Sequence, residues 1–292
     1  MEWMQLILNT SKQQANFVSE VLMGLDSISI TFSDTNDDAI FEPKVSEMPL
    51  WQNVTITALF DVSIDQDYIK ETLEYICSVN EVSFAVLKDR VWEDECKKDF
   101  HAMQFGKRLW ICPSWENSTH LPNNAVVIDM DPGLAFGTGT HQTTNLCLQY
   151  LDENPPAGQS VIDYGSGTGI LAIAAVKLGA SQAICVDNDA QAMIATQNNI
   201  KNNQVDSQIS ALHTDDEGQL IKVDLLIANI LAQPLMDLCV HFSTLLKSNG
   251  RLVLSGILHK QVEMILTTYG EYFSALKVTQ KDDWCRIDGV RK

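Results

Sequence analysis

Residues 161–171 read Val-Ile-Asp-Tyr-Gly-Ser-Gly-Thr-Gly-Ile-Leu, an apolar strand that breaks into a glycine-rich turn and then opens a helix. Gly165, Gly167 and Gly169 allow the backbone to bend sharply and to approach a ligand without a Cβ in the way. The helix predicted over 169–179 directs its N-terminal N–H groups towards that ligand. This stretch therefore predicts an α/β domain that holds a nucleotide-like cofactor.

The spacing of the glycines distinguishes between cofactors. Dinucleotide-binding folds use G-x-G-x-x-G, in which the third glycine packs the helix on the strand. Here the third glycine comes one residue early, at Gly169, and Ile170 occupies the dinucleotide position. The resulting pattern, acidic-x-G-x-G-x-G, resembles the first motif of class I S-adenosylmethionine-dependent methyltransferases. That resemblance implies S-adenosylmethionine as the cofactor.

A second predicted strand, 182–187, ends in an acidic residue, Asp187. A carboxylate at the tip of the second strand can accept hydrogen bonds from both hydroxyls of a ribose. The alternative role is an N-terminal cap for the helix predicted over 190–203, and Asp189 is better placed for that role. We therefore predict that Asp187 binds the ribose of the cofactor.

Length and composition set the class of protein. The chain has 292 residues, of which 45% are apolar, so it is long enough for two domains with cores of their own. It contains no run of about 18 apolar residues, and its first residues lack the basic start of a signal peptide. We therefore expect a soluble, cytoplasmic protein. The seven cysteines include no C-x-x-C pair, which favours reduced thiols over disulfides or a metal site.

The net charge of −18 is concentrated in the N-terminal part of the chain. Residues 1–100 carry 19 acidic and 7 basic side chains, a net charge of −12. Such a chain repels nucleic acid, because binding depends on neutralising phosphates with Lys and Arg. It attracts a basic partner, most strongly at low salt, although acidity that merely keeps the protein soluble is an equally good interpretation.

The first hundred residues follow a β-α-β-β-α-β order, the ferredoxin-like arrangement. They contain no glycine loop, no histidine cluster and no paired nucleophile and base. We interpret residues 1–90 as a small α+β domain that recognises the substrate and residues 91–104 as a linker helix. The predicted strands span 3–9, 28–33, 53–60 and 83–88, and the predicted helices span 12–24 and 65–79.

Residues 105–292 are predicted to form a Rossmann-like methyltransferase domain. Two strands are expected within 106–115 and 124–131, and helices and strands alternate after residue 140. This alternation predicts a mostly parallel sheet with helices on both faces. The predicted helices span 140–151, 169–179, 190–203, 232–247 and 258–269, and the strands span 160–164, 182–187, 208–213, 223–230, 250–256, 273–280 and 284–290.

Three further motifs extend the resemblance beyond the glycine turn. They read Gly-Lys-Arg-Leu-Trp-Ile-Cys-Pro-Ser-Trp at 106–115, Met-Asp-Pro-Gly-Leu-Ala-Phe-Gly-Thr-Gly-Thr-His-Gln-Thr-Thr at 130–144 and Ala-Asn-Ile-Leu-Ala-Gln-Pro-Leu at 228–235. Together with the turn, and in this order, they resemble the bacterial PrmA family over essentially the whole chain. The resemblance implies an enzyme that uses S-adenosylmethionine to methylate the stalk-base protein of the large ribosomal subunit. The expected acceptors are lysine side-chain amines and the N-terminal amine.

The resemblance also implies cofactor-binding roles for individual residues. Thr144 and Gly165 would contact the methionine end of the cofactor, with Gly167 in the same turn. Asp187 would hold the ribose, and Asn229 would face the cofactor near the departing methyl group. Taken alone, the residue types leave other roles open: Thr144 suits a helix N-terminal cap, and Asn229 suits the turn after a strand.

No residue is predicted to act as a catalytic acid or base. Methyl transfer from a sulfonium chiefly requires that a neutral amine be brought into line with the breaking bond. No His-Asp pair in the sequence indicates a base. His141 is the one histidine in a candidate catalytic loop, and a structural role is the simpler interpretation of it.

Two other classes of function are weighed against this prediction. Amino-methyltransferases of nucleic acids commonly carry Asn-Pro-Pro-Tyr after the fourth strand, with an aromatic ring that stacks on a flipped base. The corresponding residues here, 229–232, read Asn-Ile-Leu-Ala, and the chain is strongly acidic. A non-catalytic protein that senses the cofactor would tolerate decay of the loop motifs, all of which are intact. Both alternatives are therefore disfavoured.

Overall fold

The structure, a computed structural model, describes residues 2–36, 49–77, 79, 81–88, 100–116, 118–131, 137 and 139–292. The chain divides into two compact units, Met1–Glu95 and Cys96–Lys292. Residues 89–99 are outside the described part, and with them most of the predicted linker helix over 91–104. The prediction is wrong for the described end of that range, 100–104, which is not helical because Met103 begins a strand.

The N-terminal unit has the β-α-β-β-α-β order expected from the sequence. Its four strands form one antiparallel sheet in the order β2-β3-β1-β4. Alternate strand residues such as Leu6 and Ile56 are fully buried, and they pack with Leu73 of the second helix. The elements are β1 (Glu2–Ser11), α1 (Lys12–Gly24), β2 (Ser29–Asp34), β3 (Asn53–Asp61), α2 (Gln66–Cys77) and β4 (Val82–Lys88).

The second unit begins with a small sheet of three strands, β5 (Met103–Phe105), β6 (Leu109–Cys112) and β7 (Val126–Asp129). The sequence predicted only two strands here and began the first of them at residue 106. That boundary is wrong because Gly106 has a φ of +70° and forms the turn between β5 and β6. The Asp152 carboxylate stabilises this turn by accepting hydrogen bonds from the backbone N–H groups of Lys107 and Arg108, at 2.5 and 3.3 Å.

The main sheet of the second unit has seven strands in the order β10-β9-β8-β11-β12-β14-β13. The first five are parallel, and β14 runs antiparallel to both of its neighbours. The strands are β8 (Ser160–Tyr164), β9 (Gln182–Asp187), β10 (Ile209–His213), β11 (Val223–Asn229), β12 (Leu246–Leu258), β13 (Phe273–Lys281) and β14 (Trp284–Arg291). The helices are α3 (Gln142–Glu153), α4 (Ile170–Lys177), α5 (Ala190–Asn202), α6 (Ala232–Leu245) and α7 (Val262–Tyr269).

Helices cover both faces of this sheet, as predicted. One core contains Ile173 of α4 and Ile200 of α5, and the other contains Phe242 of α6 and Ile265 of α7. Because the central strands are buried on both faces, their sequences are continuous apolar runs rather than alternating ones. The predicted helix over 258–269 begins as a 3-10 turn, His259–Gln261, in which the Gln261 Oε1 accepts the Leu258 N–H.

Asp224 connects three central strands at the end of the sheet where they begin. Its Oδ2 atom accepts hydrogen bonds from the N–H and Oγ of Ser160, at 2.9 and 2.7 Å, and from Nζ of Lys247 at 2.8 Å. Burial on its own would raise the pKa of Asp224, but the Lys247 and Ser160 donors outweigh it and lower the pKa to about 2. The ionised carboxylate therefore stabilises the folded state.

We predict that Asp224→Asn lowers the free energy of unfolding in a pH-dependent way. A carboxyl with a lowered pKa stabilises the fold above its ordinary value near 3.8, and this contribution disappears as the pH falls towards about 2. Urea unfolding of both proteins at pH 7, 5, 4 and 3 measures the difference. The gap should be constant at pH 7 and 5 and shrink at pH 4 and 3; a gap of the same size at every pH contradicts the prediction.

Candidate functional site

A cavity of about 520 Å³ lies in the second unit, where the parallel strands of the main sheet end. The chain leaves β8 in one direction to form β9 and β10 and then returns to the other side of β8 as β11. Ligands of open α/β sheets bind at such a switch point, outside the carboxyl ends of the strands. Its lining comprises His141, Thr143, Tyr164, Gly165, Asp187, Asn188, Thr214, Asn229, Ile230, Leu231, Pro234, Leu238, Gly256 and Trp284.

The glycine turn forms one edge of the cavity. Gly165, Gly167 and Gly169 have φ angles of +72°, +56° and +77°, a conformation that side chains with a Cβ rarely adopt. The N–H groups of Gly165 and Ser166 both donate to the Val186 carbonyl, at 2.8 and 3.1 Å, which fastens the turn to β9. Helix α4 begins immediately afterwards, as the sequence predicted.

Asp163, the acidic residue of the glycine motif, lies below the turn and is fully buried. Its Oδ2 accepts the N–H of Ala172 in the first turn of α4, at 3.1 Å. Burial raises the pKa of Asp163 to about 8, with a smaller contribution from the Asp187 charge, so this carboxyl is mostly protonated at neutral pH. Asp163 therefore supports the turn and is not part of the cavity wall.

Asp187 ends β9, is 9% exposed and lines the cavity. Each of its carboxylate oxygens already accepts one backbone hydrogen bond: Oδ2 from Gly167 at 2.8 Å and Oδ1 from Asp189 at 3.0 Å. A carboxylate has about four acceptor positions, so further donors can still bind. Asp189 caps helix α5 by accepting the Gln191 N–H at 2.8 Å, which confirms the capping role expected for it.

Asn229 ends β11 on the opposite side of the cavity. Its Nδ2 donates to Oγ1 of Thr144 at 3.2 Å. Its Oδ1 is buried and has no hydrogen-bond partner among the described residues. Since an unpaired buried acceptor costs stability, Asn229 is a group whose partner a ligand would supply.

The structure brings together three of the five predicted site residues, Gly165, Asp187 and Asn229, in one cavity. Thr144 and Gly167 are not among the residues that line the cavity, but each is hydrogen-bonded to one that is. Oγ1 of Thr144 accepts from Asn229, and the N–H of Gly167 donates to Asp187. Thr144 is fully buried, and its neighbour Thr143 forms the wall instead. The N-terminal cap of α3 is His141, so Thr144 does not have the capping role that the sequence left open. Residues 132–136 and 138 of the neighbouring loop are outside the described part.

His141 lies in the cavity wall beside Trp284, an aromatic residue that belongs to none of the sequence motifs. Its ring meets the Trp284 ring edge-on, with 4.9 Å between ring centroids. Nδ1 of His141 lies 2.7 Å from Oγ1 of Thr143. Burial lowers the pKa of His141, so its imidazole is neutral at physiological pH.

Gly256 also lines the cavity, and its position in the sequence indicates a close contact. Gly256 interrupts the apolar strand β12, and a glycine inside a strand often marks a close approach of backbone. A Cβ at Gly256 would lie 2.1 Å from the carbonyl oxygen of Ile230, and a Cβ at Gly165 would lie 2.2 Å from Cγ2 of the same residue. The two glycines therefore let Ile230 fit between the ends of β8 and β12.

The described parts of the chain lack the features of several other classes of site. No group of three or more His, Cys, Asp or Glu side chains there is arranged to hold a metal ion. The six cysteines in those parts are all free and buried. None of the helices there has the length and apolar character to cross a membrane.

Comparison with known proteins places the chain next to one group of enzymes. Residues 2–292 match the family described as ribosomal protein L11 methyltransferase (PrmA). A ribosomal protein L11 methyltransferase of Actinobacillus pleuropneumoniae serotype 3 is 46% identical over 100% of both chains, and one of Shewanella amazonensis is 43% identical over 100% of this chain and 99% of its own. The crystal structure of a ribosomal protein L11 methylase from Lactobacillus delbrueckii subsp. bulgaricus is 33% identical, with a TM-score of 0.61 over 66% of this chain and 100% of that one.

We predict that alanine at Gly165 and at Gly256 destabilises the protein for two different reasons. Each has a positive φ, which costs about 1–2 kcal/mol once a Cβ is present. The new Cβ at 165 meets a side-chain methyl of Ile230, whereas the new Cβ at 256 meets the Ile230 backbone. Ile230→Ala should therefore partly restore the free energy of unfolding of Gly165→Ala and leave that of Gly256→Ala unrestored.

Urea unfolding of the two double-mutant cycles measures this difference. The Ile230→Ala single variant, present in both cycles, is the shared control. Equal rescue of both glycine variants, or rescue of neither, would show that the Ile230 side chain is not what Gly165 accommodates.

Proposed function

The chain belongs to the ribosomal protein L11 methyltransferase (PrmA) family, and we propose that it transfers methyl groups from S-adenosylmethionine to amines of ribosomal protein L11. The observation that carries the proposal is one cavity with a carboxylate, Asp187, on one side and an unpaired amide oxygen, that of Asn229, on the other. Both residues line the cavity at the switch point, where a ligand with a ribose and a reacting group can contact both.

The residues of the cavity fit this cofactor. Asp187 has acceptor positions left for both ribose hydroxyls, because each oxygen uses only one for the backbone. Gly165 presents backbone to the cavity without a Cβ, which suits the methionine end. When bound, S-adenosylmethionine supplies an electrophilic methyl group on a sulfonium. Pockets that bind such small molecules measure roughly 300–1,000 Å³, a range that includes this cavity of about 520 Å³.

In this proposal Asn229 positions the acceptor amine. Its Nδ2 donates to Thr144, so the amide plane is fixed and Oδ1 is left to accept an N–H of the incoming amine. That hydrogen bond would orient the amine for attack. Positioning of this kind accounts for about 7–11 kcal/mol of a barrier in well-oriented reactions. Thr144 acts through Asn229, and Gly167 acts through Asp187.

The acceptors we propose are lysine side-chain amines and the N-terminal amine. A lysine ammonium has a pKa of about 10.4 and must lose a proton before it can attack. We assign that proton to solvent rather than to a side chain. Activity should therefore rise with pH as the neutral amine becomes more abundant.

A nucleic-acid substrate is the competing function. A base-flipping enzyme would need an aromatic ring three residues after Asn229, where this chain has Ala232, and cations to hold phosphates. The net charge of −18 opposes the second requirement. We therefore propose a protein substrate and no direct nucleic-acid partner.

We predict that Asp187→Ala weakens S-adenosylmethionine binding by a factor of about 10–100, as the loss of hydrogen bonds to a charged group would. Asp189→Ala is the matched control, because that neighbouring acid caps a helix and does not line the cavity. Calorimetry gives the dissociation constants. Equal weakening by the two substitutions contradicts the ribose role of Asp187.

The same preparations test the reaction itself. Labelled S-adenosylmethionine should transfer label to ribosomal protein L11, and mass spectrometry should find it on lysine and N-terminal amines. Asp187→Ala should slow the transfer at limiting cofactor, whereas Asp189→Ala should not. Label that appears in ribosomal RNA instead of L11 overturns the proposed function.

We further propose that the N-terminal unit recognises the protein substrate. The outward side of α2 carries Tyr68 and Tyr75, which are 60% and 91% exposed, beside Glu71 and Glu74. Exposed aromatic side chains are enriched at protein interfaces. A protein that binds ribosomal RNA is rich in Lys and Arg, so an acidic and aromatic surface complements it.

We predict that Glu71→Lys raises the KM for ribosomal protein L11 several-fold at low salt. Reversing one charge at the edge of an interface mainly slows encounter, an effect that salt screens. Glu81→Lys changes the charge of the same unit equally but lies outside α2, so it is the matched control. The dissociation constant for S-adenosylmethionine should be unchanged in both variants. The proposal fails if the two variants raise the KM for L11 equally.

A further inference from the structure

A cluster of three polar side chains, Tyr164, Glu217 and His241, lies beside the cavity and has no part in the function proposed above. Tyr164 ends β8, is 7% exposed and lines the cavity. Its hydroxyl donates a hydrogen bond to Oε1 of Glu217. Nε2 of His241, on helix α6, lies 3.0 Å from Oε2 of Glu217. The carboxylate is therefore hydrogen-bonded to a strand end and lies close to a helix.

Glu217 belongs to the 3-10 turn Thr214–Gln219, which follows β10. The first residue of this turn, Thr214, lines the cavity. Strand β10 is the neighbour of β9, and His213 is paired in register with Asp187. The turn is therefore the wall next to the carboxylate proposed to hold the ribose. Thr214 and Glu217 are three residues apart, so they lie on the same side of a 3-10 turn.

The bonding around Tyr164 fixes its ring at both ends. The ring meets Phe242 edge-on, with 4.9 Å between centroids. Burial raises the pKa of the Tyr164 hydroxyl, and its hydrogen bond to Glu217 raises it further, so the hydroxyl remains protonated and donates to the carboxylate. One oxygen of Glu217 thus accepts a hydrogen bond from Tyr164, and the other lies 3.0 Å from Nε2 of His241, a close approach without the geometry of a hydrogen bond.

We propose that Glu217 is a positioning residue for cofactor binding, which holds the Thr214 wall and the Tyr164 ring in place on the nucleoside side of the cavity. The inference rests on the proposed function, since it takes S-adenosylmethionine to be the ligand. A wall that is ordered before the ligand arrives removes the cost of ordering it during binding. Loss of Glu217 therefore weakens cofactor binding and leaves the methyl-transfer step unchanged once the site is filled.

The test compares Glu217→Ala with Asp216→Ala, which removes an exposed acid from the same turn. Calorimetry gives the dissociation constant and the number of binding sites for S-adenosylmethionine, and methylation of ribosomal protein L11 gives kcat and KM. Glu217→Ala should raise the dissociation constant and the KM for the cofactor roughly tenfold. Its kcat at saturating cofactor should stay within about twofold of wild type, and Asp216→Ala should match wild type throughout.

Two further variants separate positioning from general stability. Glu217→Gln keeps an oxygen that accepts the Tyr164 hydroxyl, so it should weaken binding less than Glu217→Ala. Tyr164→Phe should add little to Glu217→Ala, because the hydrogen bond that it removes is already lost.

The possible results distinguish the positioning role from a loss of folded protein and from failure of the proposed function. A Glu217→Ala protein with fewer binding sites but an unchanged dissociation constant has lost folded protein, which overturns the positioning role. A lowered kcat with unchanged KM, or the same effect in Asp216→Ala, also overturns it. Wild-type protein that binds no S-adenosylmethionine overturns the proposed function itself. Wild-type protein that binds it, next to a Glu217→Ala protein of equal affinity, refutes this inference alone.

Discussion

The two backbone hydrogen bonds accepted by Asp187 are the interaction on which the site depends. Gly167 lies in the turn after β8, and Asp189 lies in the turn after β9, and each donates its N–H to a different oxygen of the same carboxylate. Two adjacent turns are thereby fixed relative to each other by one side chain. Because charged acceptors form the stronger hydrogen bonds, this arrangement sets the edge of the cavity before a ligand is present.

Three aspartates near the ends of the central strands show how environment divides one residue type between roles. Asp224 accepts bonds from Ser160 and Lys247, which keep it ionised and make it a link between strands. Asp163 is fully buried, and its raised pKa makes it a mostly neutral support below the glycine turn. Asp187 faces the cavity and keeps acceptor positions for a ligand. The position of each aspartate in its strand does not predict its role. Its burial and the number of hydrogen-bond donors around it do.

The parts of the site that could be predicted from the sequence are those encoded within a few residues. The glycine turn and the cap at Asp189 are local patterns, and both were found. Trp284 was missed, because it lies in the wall only through the antiparallel strand β14, whose register pairs it with Leu258. Thr144, which is predicted to contact the methionine end of the cofactor, is buried and hydrogen-bonded to Asn229, and its neighbour Thr143 lines the cavity. Which of two adjacent threonines faces a cavity depends on long-range packing that spacing does not encode.

Two polar residues of the cavity wall, Asn229 and His141, can bind a substrate but are not suited to take up its proton. The amide of Asn229 does not titrate, and burial keeps the imidazole of His141 neutral at physiological pH. The described lining of the cavity includes the Asp187 carboxylate and no Lys or Arg, so it does not repel a sulfonium. In the proposed function, the acceptor amine is then the group whose protonation limits the reaction. In the proposed function, the net charge of −18 serves an earlier step, the attraction of a basic protein. That proposal assigns attraction and alignment to different residues, the first to surface charge and the second to fixed hydrogen bonds within the cavity.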